Sequence, residues 1–101
     1  MASRLKLQSK LEELLGSRNV YYQPPESVKM EYPAIIYSKK GIRSRFANNA
    51  AYSFSNSYEI IVVDRRPDND VINRIMGLPY CSYDRHYIAE NLNHDVLTLY
   101  F

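Results

Sequence analysis

The sequence predicts an α+β domain: a mainly antiparallel sheet of four to five strands, an N-terminal helix, a second helix packed on the sheet, and an extended hairpin between strands. Leucines near the N-terminus recur at helical spacing, residues 52–64 alternate and then become continuously apolar, and 96–101 is an apolar run. At 101 residues the chain suits a single domain with one hydrophobic core.

The first element is a helix over 3–15. Leu7, Leu11, Leu14 and Leu15 fall at i, i+4, i+7 and i+8 and share one stripe. Ser3 suits the N-cap and Gly16 the stop. Lys6, Ser9, Lys10, Glu12 and Glu13 take the other face, which should be solvated. Their mixed charge and the lack of aromatics argue against a membrane-surface helix, and residues 1–15 hold no apolar run of the signal-peptide kind.

Residues 20–23 suit a short extended segment, interrupted by Pro24 and Pro25, and 26–32 forms a connection to Pro33. Residues 34–39 are strand-like, with a turn expected at Lys40-Gly41. Over 42–46, Ile42, Ser44 and Phe46 alternate with Arg43 and Arg45, and 48–51 breaks the pattern. Tyr52, Phe54 and Tyr58 then alternate with Ser53, Ser55 and Ser57 before Ile60, Ile61, Val62 and Val63 turn both faces apolar. Such a strand begins on an exposed extension and ends in a covered core. Residues 42–64 therefore read as a hairpin whose tip leaves the core, a natural place for a subunit contact.

A second helix is expected over 68–76, with Asp68 or Asn69 as cap and Val71, Ile72, Ile75 and Met76 facing inward. Gly77-Leu78-Pro79 stops it, with Gly77 available for a left-handed conformation. Strands over 80–89 and 95–101 follow, joined by a turn near Asn91-Leu92-Asn93. So apolar an ending should be stitched into the sheet rather than fray.

The charge balance, 13 basic against 11 acidic side chains for a net +2, is too even for a protein built on nucleic-acid backbone binding. Ten Tyr, three Phe and no Trp favour surfaces that pack against partners. A lone cysteine, Cys81, allows no intrachain disulfide and fits a reducing compartment. No stretch approaches the length of a transmembrane helix.

Asp84, His86, His94 and Asp95 form the one catalytic-looking group. If the last two strands pair, Asp84 and His86 share a face and approach His94-Asp95, where they could hold a divalent metal or form an oriented base. Their spacing matches no established metal or nuclease pattern, and a hydrogen-bonded turn demands the same residues. Cys81 has no second thiol and no cationic dyad, so a packed, inert thiol is expected. The glycines, Gly16, Gly41 and Gly77, are isolated and make no phosphate-binding loop. Lys39, Lys40, Arg43 and Arg45 form the strongest charge feature, suited to an acidic neighbour. The plainer reading is a solvated face whose charges discourage edge aggregation. With Tyr52, Phe54 and Tyr58 these residues make up the candidate interface.

Two stretches resemble small neck and tail proteins of long-tailed phages of Gram-positive hosts. The first is Gln23-Pro24-Pro25-Glu26-Ser27-Val28-Lys29-Met30-Glu31-Tyr32-Pro33-Ala34-Ile35-Ile36-Tyr37. The second is Leu78-Pro79-Tyr80-Cys81-Ser82-Tyr83-Asp84-Arg85-His86-Tyr87, continuing through Glu90-Asn91-Leu92-Asn93-His94-Asp95 to Tyr100-Phe101, with Val63-Asp64-Arg65-Arg66-Pro67-Asp68 between them. The helix–strand order is similar to that of the tail terminators, or tail completion proteins. The resemblance implies a structural virion protein with no catalytic residues and no cofactor. It would be assembled in the host cytoplasm as a hexameric ring that caps the tail tube, stops tube polymerisation and offers a docking surface to the head connector. Its partners would be copies of itself, the tube protein and the connector, with DNA only passing through the channel and no membrane. The nearest rival is a head-side adaptor or head-closure protein. A remote one is a phage DNA-binding or metal-dependent nuclease domain using His86 and His94, which would need a metal-ligand spacing or a larger basic surplus.

Overall fold

In a computed structural model of the chain, residues 4–24, 29–47 and 50–101 are described, and of 42–56 the backbone alone. The order is α1 (Arg4–Leu15), β1 (Val20–Tyr22), β2 (Ala34–Ala47), β3 (Ala50–Asp64), α2 (Asp70–Met76), β4 (Cys81–Ala89) and β5 (Leu92–Tyr100). The five strands form one sheet in the order β1-β2-β3-β5-β4. β1 runs parallel to β2 and every other neighbouring pair is antiparallel, so the fold is α+β with a mixed, mostly antiparallel sheet.

The leucine stripe does what its spacing implies. Leu7, Leu11 and Leu15 are buried and Leu14 is half-buried against them, while Gly16 takes the left-handed conformation (φ 81°) that ends α1. The proposed cap Ser3 lies outside the described residues. These leucines pack on one face of the sheet, on Ile35 and Tyr37 of β2, Tyr58, Ile60 and Val62 of β3, and Leu97 and Leu99 of β5. Tyr37 fixes the seat of the helix. Its hydroxyl donates to Gln8 Oε1, Arg4 Nη1 donates to it at 3.1 Å, and Arg4 also lies over the Tyr22 ring at 4.4 Å. Burial pushes the Tyr37 phenol up, against the pull of the Arg4 guanidinium.

α2 packs Val71 and Ile75 into the same core. Its cap is Asn69, whose Oδ1 accepts from Val71 N at 2.9 Å and whose Nδ2 donates to Asp64 Oδ2 at 2.6 Å. Asp64, buried at the end of β3, thus ties strand to helix. Met76 is 40% exposed rather than inward-facing: next to the fully buried Ile75, it falls about 100° round the helix from the core-facing stripe of Val71 and Ile75. Gly77 is right-handed (φ −74°), and a 3.2 Å bond from Gly77 N to Arg74 O, with Leu78 N to Ile75 O at 2.9 Å, closes the helix instead.

The hairpin is longer than the sequence suggests. Lys40-Gly41 is a bulge in the β2–β3 register, not a turn, so β2 runs unbroken for 14 residues. At about 3.3 Å per residue that is about 46 Å, which accounts for the long dimension of a 50 × 24 × 23 Å molecule. The final turn is also displaced. Glu90 and Asn91, with φ of 54° and 63°, join β4 to β5, the two-residue hairpin whose twist suits its flanking strands. Asn93 is instead a buried sheet residue whose Nδ2 reaches Arg65 O at 3.3 Å. As expected, the apolar C-terminal run is held between two strands.

Leu11→Ala should destabilise the protein by about 2–5 kcal/mol, read as a lower urea midpoint. Leu5→Ala, at a side chain 66% exposed on the same helix, should stay within about 0.5 kcal/mol of the parent.

Candidate functional site

The hairpin leaves the sheet because its neighbours end. β1 pairs with β2 only as far as Tyr37, and β5 pairs with β3 only from Ser57 onward. Among the described residues, 42–47 and 50–56 therefore pair only with one another, forming a two-stranded arm beyond the body. In register, Arg43 stands opposite Ser55 and Arg45 opposite Ser53. The side chains of Arg43, Arg45, Tyr52 and Phe54 lie outside the described residues.

At the base of the arm, Lys39 and Lys40 are exposed. Lys40 Nζ donates to Thr98 Oγ1 at 3.3 Å, and that hydroxyl donates to Asp84 Oδ2 at 2.6 Å. This chain crosses β2, β5 and β4 on the sheet face away from the helices, and it anchors one end of the arm to the body. Tyr58 belongs elsewhere. It is 3% exposed and edge-on to Tyr37 at 6.0 Å, so its ring packs inside the subunit and is not part of a contact surface.

The group Asp84, His86, His94 and Asp95 does not converge. A bulge between Tyr83 and Arg85 shifts β4 by one residue and puts Asp84 on the open face with Thr98, while His86 faces the helix side. There His86 Nε2 meets Asn93 Oδ1 at 3.1 Å. His94 stacks on Tyr87 with ring centroids 4.6 Å apart and its Nδ1 bonds Leu92 O at 3.1 Å. Asp95 accepts from the Tyr83 hydroxyl at 2.6 Å. Among the described residues no cluster of three or more His, Cys, Asp and Glu could hold a metal. Cys81 is half-buried against the core, and burial, aided by the Asp84 charge, pushes its thiol up, which keeps it protonated and a poor nucleophile at neutral pH.

One feature had no clear reading in the sequence. β4 is the last strand of the sheet, and among the described residues its outer edge carries no strand partner. Seven of its nine residues are exposed, among them Tyr83 (42%), Tyr87 (36%) and Ile88 (68%), with Tyr80 (78%) just before it. The signal was present as the failure of Cys81–Ala89 to alternate: a strand with no apolar face belongs at an edge. At the other end of the sheet, β1 is only three residues long, which blunts that edge.

No described helix is long and apolar enough to cross a membrane. No protein-family model matches the chain, and no curated protein matches it.

The Tyr83–Asp95 bond predicts a titration. Hydrogen bonding to Asp95, then burial and the Asp95 charge, pushes the Tyr83 phenol from 10.0 up to about 12. A raised phenol favours the folded state while protonated, so the bond's contribution is complete below pH 10 and fades as the pH climbs towards 12. In an ultraviolet tyrosinate titration, Tyr83→Phe should remove a component titrating near pH 12. Loss of a component near pH 10 would contradict the bond.

Proposed function

We propose that this chain is a structural subunit of a long-tailed phage neck: a ring-forming tail terminator that caps the tail tube, stops its polymerisation and offers the head its docking surface. The observation that carries the reading is the arm. Two strands leave a small α+β body and pair only with each other. An isolated two-stranded ribbon is marginal in water and gains its stability from a partner. The segment from Lys39 to Tyr58 contains four basic side chains and no acidic one, leaving nine basic against eleven acidic elsewhere. A basic arm on a slightly acidic body gives each copy two unlike surfaces, which a closed ring requires.

The resemblance of 23–37 and 78–101 to neck and tail proteins supplies the biological setting. The split between Asp84 and His86 across the sheet argues against the nuclease rival, because a metal site needs its ligands on one side. A head-side adaptor would share the virion, the ring symmetry and the approximate size, so the test must separate the two roles.

Electron microscopy of particles assembled without this protein should show headless tubes of uncontrolled length. Tails of normal length beside full, unattached heads would assign the protein to the head side of the joint.

A further inference from the structure

We infer that the open β4 edge of one subunit receives the basic β2–β3 arm of the next copy, so that the contact between copies is a strand-edge pairing of unlike surfaces. The inference rests on the self-association in the reading above and specifies how it is made.

The sheet leaves long strand edges of two kinds unpaired among the described residues. One is the outer edge of β4, nine residues long. The other belongs to the arm, where 42–47 has passed the end of β1 and 50–56 has not yet met β5. Unpaired N–H and C=O groups along such edges are templates for another strand. Their lengths agree: an arm strand of seven residues spans about 23 Å and β4 about 30 Å. The arm and the β4 edge are different surfaces, so pairing them consumes one arm and one edge per subunit, and repeated from copy to copy the contact runs head-to-tail round a ring.

Chemistry favours the same match. The arm segment carries four basic side chains and no carboxylate, whereas the exposed charges of β4 and the turn after it, Asp84 and Glu90 against Arg85, leave an acidic excess of one. Tyr80, Tyr83 and Ile88 supply exposed apolar surface along that strand, the composition expected at the centre of a contact rather than on a solvated edge. Asp84 already receives the Thr98 hydroxyl that Lys40 contacts, so the arm's root and the β4 edge are mechanically linked within each copy. Occupation of one end in a ring would be felt at the other.

The test is sedimentation velocity of the full chain and two surface variants, with circular dichroism to verify their folding. Arg43→Glu with Arg45→Glu spoils the arm. Ser82→Lys with Ile88→Lys, both at exposed positions, spoils the edge. The parent should form a discrete oligomer, and each variant should dissociate with an apparent Kd raised at least about tenfold. Mixed in equal amounts, the variants should form a dimer and nothing larger, because each retains one intact surface. In a Cys81→Ser background, Ser55→Cys on one copy should be bridged by a short bis-maleimide to Ser82→Cys on another, and not to Ser38→Cys, a reading that holds even if a charge variant folds poorly. A monomeric parent, variants that leave the oligomer intact, a mixture that stays monomeric, or bridging to position 38 would each overturn the inference. An arm-to-edge oligomer in a protein whose loss leaves tails and heads normal would overturn the neck reading alone.

Discussion

The antiparallel pairing of β2 with β3 is the constraint on which the rest of the molecule depends. Over Ala34–Lys39 and Tyr58–Val63 this pair is the middle of the sheet, with Ile35, Tyr37, Tyr58, Ile60 and Val62 forming the floor on which α1 sits. Beyond the base of the arm the same two strands have no other strand beside them among the described residues. A single register therefore fixes both the hydrophobic core and the direction of the arm, and a slip by one residue would turn Tyr37 and Ile60 out of the core. The bulge at Lys39/Gly41 falls where the environment changes from covered to free. Within it Lys40 reaches Thr98 across the open face.

The polar side chains of the sheet are mostly fasteners. Tyr83–Asp95 and Asp84–Thr98 hold β4 to β5 from opposite faces, and His86–Asn93 adds a third tie near the turn. Asp64 and Asn69 join the end of β3 to the start of α2. Each bond satisfies a group that would otherwise be costly to leave half-buried, and among the described residues no buried side-chain nitrogen or oxygen lacks a partner. An edge strand with little apolar burial needs such ties, since β4 has hydrogen-bonded backbone on one side only. They account for residues that look catalytic in sequence.

This division of labour gives the molecule a body that is complete and a perimeter that is not. The core closes with two helices on one sheet face and a capped, tied α2. The arm and the β4 edge remain as two surfaces of different chemistry at different places on the sheet, the geometry from which a directional assembly is built.

The sequence by itself determined the features governed by local periodicity and local hydrogen bonding. The leucine spacing of α1, the Gly16 stop, a cap at Asp68 or Asn69, the change in β3 from alternating to wholly apolar, and the burial of the C-terminal run were all legible, because each depends on residues within a turn or a strand of one another. The candidate interface was legible in part: its place on a protruding hairpin was, but the burial of Tyr58 was not. Tertiary structure alone decided the strand order, the edge position of β4, the unbroken length of β2 and the place of the last turn. It also decided that Asp84 and His86 part company at a bulge. Those outcomes rest on which strands pair and in what register, and pairing is set by contacts between residues distant in the chain that no local pattern records.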